Sequence, residues 1–223
     1  MKNNAELQKD VQNAIAWEPL LHAAEIGVAV KDGVVSLTGT VDSYAKKTEA
    51  ENAAKRVIGV KALVENIEVK FSNSLSKADI EIANEILNAL KTDSYIPNDK
   101  VKVKVEKGWV TLDGELAWDY QREAVKSAVR YLAGVRGVIN NIKIRSEVHD
   151  AIEQKDVEDA IARSSVVNNN DIHVKVSGTT VTLTGTVNSW YQRDEAGQIA
   201  WKTPGIWHVK NELTLDYYYA FSE

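Results

Sequence analysis

Three cations stand in register in this sequence. Lys47, Arg122 and Arg193 each lie eight residues after a glycine, Gly39, Gly114 and Gly185, and each follows aromatic side chains: Tyr44, then Trp118 and Tyr120, then Trp190 and Tyr191. Rings beside cations are residue types of a membrane interface, where an amphipathic ring sits at headgroup level and a cation meets phosphate. The competing reading, which carries more weight because large aromatics are mostly buried, is that the rings close the end of a small core while the cations are merely solvated. A second basic element is Lys100-Val101-Lys102-Val103-Lys104-Val105. Strand alternation puts Lys100, Lys102 and Lys104 on one face and the valines on the other. That patch suits lipid phosphate, but lysines are also the usual guard of an exposed strand against edge-to-edge aggregation, and the guard role comes first.

Other reactive side chains form no constellation. The four histidines, His22, His149, His173 and His208, have no metal-ligand spacing, and there is no cysteine to supply a thiolate or a disulfide. Glu158-Asp159 and Asp194-Glu195 are neighbours on predicted helices and point in different directions, which makes them solvated faces. Ser164-Ser165 lacks the flanking glycines of a nucleophile elbow, and no glycine-rich phosphate loop occurs. No catalytic, cofactor-binding or metal-binding residue is therefore expected, and no enzyme. The net charge of −5 falls on residues 150–223, while 75–149 is the one mildly basic third. An acidic chain without a dense basic stripe is a poor nucleic-acid ligand, because phosphate neutralisation dominates that affinity. No stretch has the length of an apolar membrane span and the first residues lack a signal-type apolar run, so the chain as written is expected to be cytoplasmic, or periplasmic if a leader precedes it.

The elements that must hold these residues come in three copies. Val35-Ser36-Leu37-Thr38-Gly39 returns as Val110-Thr111-Leu112-Asp113-Gly114 and as Val181-Thr182-Leu183-Thr184-Gly185. Twenty residues after each glycine stands another, Gly59, Gly134 and Gly205, followed by Val60, Val135 and Ile206. Leu7, Val11 and Ile15 at four-residue spacing predict an amphipathic helix, and Ile26, Val28 and Val30 predict a strand. Asp32-Gly33 marks a hairpin, and Val35, Leu37 and Val41 continue the buried face. Gly39 falls on that face and marks a bulge or a close approach of backbone. Asp42 or Ser43 caps a second helix with Ala50, Ala53, Ala54 and Val57 on its core side, Gly59 is placed as its left-handed C-cap, and Leu63, Ile67 and Val69 form a third strand. The third copy reads as having one residue more in its hairpin, Ser177-Gly178-Thr179-Thr180.

The fold expected is α+β: three tandem α-β-β-α-β repeats, each a three-stranded mixed sheet with both helices on one face. The repeats span 3–70, 77–145 and 152–216, with short polar linkers between them and an aromatic tail at 217–223 that includes Tyr217, Tyr218, Tyr219 and Phe221. Tethers that short favour copies packed on one another. Copies of this size bury little surface alone, so that packing also supports stability.

The hairpin dipeptides, the V-x-L-x-G strand, the helix of small residues and the G-[VI] that opens the last strand together resemble the BON domain, the bacterial OsmY and nodulation family. The resemblance covers nearly the whole chain, three times over. It implies an osmotic- or envelope-stress protein, typically periplasmic, that associates with phospholipid surfaces or envelope proteins without a transmembrane segment. A soluble module that binds a small ligand, an ion or another protein is the alternative. Oligomeric state does not follow from these residues.

Overall fold

Each sheet follows from alternation in the sequence. In the first copy, Ile26 and Val28 of β1 (Ile26–Lys31), Val35, Leu37 and Val41 of β2 (Val34–Val41), and Ile67 and Val69 of β3 (Ala62–Val69) are buried on one face. Against that face lie Leu7, Val11 and Ile15 of α1 (Asn4–Ala16) and Ala50, Ala53 and Ala54 of α2 (Tyr44–Lys55), so both helices share one side. The structure, a computed structural model, describes residues 2–72, 77–145, 154–167 and 171–216. The linker residues 73–76 and 146–153, His149 and the tail 217–223 fall outside these.

The other copies repeat this order. The second runs α3 (Asp79–Thr92), β4 (Val101–Glu106), β5 (Trp109–Leu116), α4 (Asp119–Arg130), β6 (Gly137–Asn140) and β7 (Lys143–Ile144). The third runs α5 (Gln154–Ala162), β8 (Ile172–Ser177), β9 (Thr180–Val187), α6 (Trp190–Trp201), β10 (His208–Asn211) and β11 (Thr214–Leu215). In every sheet the second strand is central, antiparallel to the first and parallel to the last. The sheets are therefore mixed, with the hairpin's first strand at one edge. In copies two and three the last strand breaks into two pieces, and there Asn140 and Asn211 turn their side-chain oxygens to accept from the N–H of Ile142 and of Leu213.

The three hairpins are equal in length. Lys31 pairs with Val34, Glu106 with Trp109 and Ser177 with Thr180, which leaves a two-residue turn in each. The extra residue expected in the third hairpin is not there, because Thr180 belongs to the strand. Asp32 and Gly33 both have positive φ, as do Lys107 and Gly108, the backbone that a tight hairpin turn requires.

Gly39, Gly114 and Gly185 mark a close approach of main chain. Their φ values are +138°, +154° and +115°, and a Cβ there would lie 2.0, 2.2 and 1.8 Å from the carbonyl oxygens of Glu25, Lys100 and Asp171. The later glycines act differently from the C-cap role expected of them. The helix-ending caps Arg56 and Lys202 are right-handed, with Gly59 and Gly205 three residues on, as Gly134 stands three after Tyr131, and Gly59 and Gly134 pass under the first helix of their copies. A Cβ at Gly134 would meet the Ile82 side chain at 2.8 Å.

Candidate functional site

The three second helices open in equivalent ways. Ser43 and Ser189 cap α2 and α6 by accepting from the N–H of Lys46 and Gln192, and at the start of α4 the Gln121 side chain instead accepts from the Trp118 N–H. Each helix thus begins at a fixed distance from the motif glycine, with Tyr44, Asp119 and Trp190 as its first residue.

These first residues are turned toward other copies. Tyr44 packs on the core of copy two; burial pushes its phenol above the ordinary range, and a hydrogen bond with the Val138 backbone acts in the opposite sense. Trp190 packs on the core of copy one. Asp119 is buried, pairs with Arg122, and feels the charge of Lys202 in copy three. The ends of the same helices return the contact. Arg130 reaches Glu49 at 2.8 Å, Lys55 lies 3.4 Å from Asp194, and Trp201 packs on the cores of both copies two and three with the Arg122 guanidinium 4.4 Å above its ring. Copy one meets two, two meets three and three meets one, so the second helices form a closed hub. Arg56 over Tyr191 and Arg145 over Trp207 add to it.

The cations eight residues after each glycine are engaged inside the fold. Lys47 donates to the carbonyl of Ile67 at 3.0 Å and pairs with Glu65 at 2.7 Å. Arg193 donates to the carbonyls of Leu213 and Asn211 at 3.0 and 2.7 Å, with its guanidinium 5.5 Å from the Trp190 ring. Arg193 ties the second helix to the break-point of the last strand of its copy, and Lys47 ties it to the unbroken β3. Trp118 and Tyr120 stack on each other with ring centroids 6.4 Å apart, and Tyr120 is exposed. Lys100 belongs to a short turn before β4; Lys102 and Lys104 lie exposed on this edge strand, and Lys104 pairs with Glu106 at 3.0 Å.

The outer sheet faces hold what remains uncovered. In copy two, Trp109 and Ile139 are each 47% exposed there, on the same face as Lys102 and Lys104, and the Trp109 ring lies over Gly137. Copy one carries Val34 and Val64 at the equivalent positions, exposed at 39% and 43%. Copy three carries Thr180 and Lys210. Among the described residues no three His, Cys, Asp or Glu side chains cluster as metal ligands.

Three stretches of the chain, residues 3–70, 78–146 and 149–217, match the family described as BON domain. The chain belongs to the BON domain family. It is similar to the osmotically-inducible protein Y of Escherichia coli K12, with 27% identity over 147 residues that cover 64% of this chain and 73% of the relative. Among solved structures, the C-terminal domain of CdsD, the structural protein of the Type III secretion system of Chlamydia trachomatis, shows 18% identity and a TM-score of 0.26 over 96% of this chain and all of that one.

Within this BON chain the copies are specialised at positions that sequence reading passed over. Counting from each motif glycine aligns Asp119 with Tyr44 and Trp190, and that alignment was the signal available for it. Trp201 and Trp109 carried no sequence signal of their own, since one ends a helix and the other begins a strand. Asp119 also gives the hub a pH dependence. Burial raises its carboxyl above the ordinary value, more than the neighbouring Arg122 lowers it, with Glu123 adding to the rise and Lys202 opposing it. A carboxyl whose folded pKa is raised binds more protons folded than unfolded, so its contribution to stability falls as pH rises through that window. Asp119→Asn is accordingly expected to flatten the pH dependence of the melting temperature as pH rises from the ordinary aspartate value of about 4. Melting curves across that range check this; parallel curves for the two proteins would contradict it.

Proposed function

We propose that this BON protein is a non-catalytic, stress-related protein that binds phospholipid surfaces peripherally, and that the outer sheet face of copy two makes the contact. The observation that carries the reading is the pairing of half-exposed Trp109 and Ile139 with Lys102 and Lys104 on one face. An aromatic ring and an aliphatic side chain enter the headgroup boundary, while a lysine near an anionic surface adds about 1 kcal/mol, less for Lys104, whose partner Glu106 lies on the same face. Similarity to an osmotically inducible protein supports the stress role. Among the described residues no helix is long and apolar enough to cross a membrane, which fits attachment from one side. Either compartment proposed from the sequence, cytoplasm or periplasm, offers a phospholipid leaflet.

The helix starts contribute less to such a surface than their residue types suggest. Tyr44 and Trp190 pack on other copies, and Lys47 and Arg193 hold carbonyls of their own. Co-sedimentation with vesicles tests the proposal. Binding to phosphatidylglycerol vesicles that weakens as salt rises, with little binding to phosphatidylcholine, is expected. Absence of binding to both would overturn it.

A further inference from the structure

Between the end of copy one and the β4–β5 hairpin turn of copy two lies a cleft of about 490 Å³. Two glycines give it room: a Cβ at Gly108 would lie 2.7 Å from the Gly134 carbonyl oxygen, and one at Gly134 would lie 3.2 Å from the Cβ of Lys77. Two rings flank it. Phe71, which also packs on the core of copy one, follows β3, and half-exposed Trp109 opens β5. Three cations line the cleft, Lys77, Lys107 and Arg136, against one acid, Asp79. That acid is engaged by main chain. Its oxygens accept from the N–H groups of Lys107 and Gly108 at 2.7 and 2.9 Å, the task that the Asn4 side chain performs for Asp32 in copy one. Lys77 is held by Glu85. Glu106, which feels the charge of Lys107, is itself paired with Lys104. The Arg136 guanidinium lies 5.4 Å from the Phe71 ring and spends one of its five donors on the Val69 carbonyl at 3.5 Å. Among the described residues no carboxylate is paired with Lys107 or Arg136.

We propose that this cleft binds a phosphate monoester carried by a small soluble molecule. A guanidinium is a planar fork that meets two phosphate oxygens at once, and Lys107 supplies the second positive charge that matches a group carrying about −1.5 to −2 at pH 7. The rings of Phe71 and Trp109 offer apolar surface to the organic part. The volume lies within the range of roughly 300 to 1,000 Å³ usual for small-molecule sites. The cation pair is particular to copy two. The positions of Lys107 and Arg136 hold Asp32 and Lys61 in copy one, and Gly178 and Trp207 in copy three. Copy one thus sets an acid beside its cation, and copy three has neither charge. A monoester at the head of a lipid presents the same phosphate, so the experiment separates the two sources.

Isothermal titration calorimetry of the whole chain with phenyl phosphate is the test. A Kd of about 1 mM or tighter is expected, and Lys107→Gln/Arg136→Gln is expected to weaken it at least about ten-fold. Lys107→Gln alone, on an exposed turn, is expected to weaken it about three-fold or more. Lys175→Gln/Lys210→Gln, which removes two exposed cations from copy three, is expected to change it less than about two-fold. Absence of phenyl phosphate binding, or equal weakening by the two double variants, would overturn the proposal. Co-sedimentation with phosphatidic acid vesicles forms the second arm. Vesicle binding that depends on Lys107 and Arg136 without binding of phenyl phosphate would assign the phosphate to a lipid and overturn the soluble ligand. The vesicle contact through Lys102 and Lys104 is read separately, on phosphatidylglycerol.

Discussion

Replacing Gly114 with alanine is expected to destabilise the protein by about 3 kcal/mol or more, a loss that the equivalent Gly39 and Gly185 would share. The reason is geometric. Gly114 sits at φ +154°, and an added Cβ would stand 2.2 Å from the carbonyl oxygen of Lys100, a main-chain atom fixed by the Val101–Gly114 strand pair. Neither a rotamer change nor a shift of a flexible side chain relieves such a contact. The two strands must separate locally, and the buried Val101, Val110 and Leu112 lose packing with them. Urea unfolding measures the loss. A midpoint within experimental error of the wild type would contradict the account of the motif glycine, and Thr111→Ala, on the opposite sheet face, serves as the neighbour that is expected to change little.

Trp201→Ala is expected to cost about 2 to 3 kcal/mol and to change the manner of unfolding as well as its midpoint. Trp201 is half-buried, touches the cores of two copies and carries Arg122 over its ring. Removing it leaves Asp119 and Arg122 facing a gap at the contact between copies two and three. With that contact weakened, copy three is expected to unfold ahead of the other two, so the unfolding curve splits into two steps. A single step shifted by less than about 0.5 kcal/mol would show that the hub contributes little to cohesion.

The architecture was legible in the sequence because the physical constraints that define it are local and repeat three times. Alternation in Ile26–Val30, four-residue spacing in Leu7–Ile15 and glycines at fixed intervals are each satisfied within one copy, so triplication multiplied the same signal. Strand order and the packing of copies depend on long-range contacts and left no such trace. The hub shows why. Tyr44 and Trp190 have the residue types of an interfacial belt, and the same types serve equally well to plug the core of a neighbouring copy; which of the two occurs depends on where the neighbour sits. Likewise Lys47 and Arg193 were read as solvated or lipid-facing cations, whereas the last strand region of each one's own copy gives them carbonyls to hold. Lys102 and Lys104 fall on an exposed edge strand, where alternation had placed them. Trp109 escaped notice since a tryptophan opening a strand has no periodic pattern to announce its face.

The contact proposed with phospholipid is tested most directly by comparing two double variants on phosphatidylglycerol vesicles. Lys102→Glu/Lys104→Glu reverses charge on the outer face of copy two, and Trp118→Ala/Tyr120→Ala removes the stacked rings at the start of α4, where Tyr120 is exposed. Far-ultraviolet circular dichroism confirms that both remain folded. The account predicts that the lysine variant loses at least about ten-fold in vesicle affinity while the aromatic variant keeps most of it. Loss in the aromatic variant with the lysine variant unaffected would contradict the assignment and move the lipid contact to the helix start.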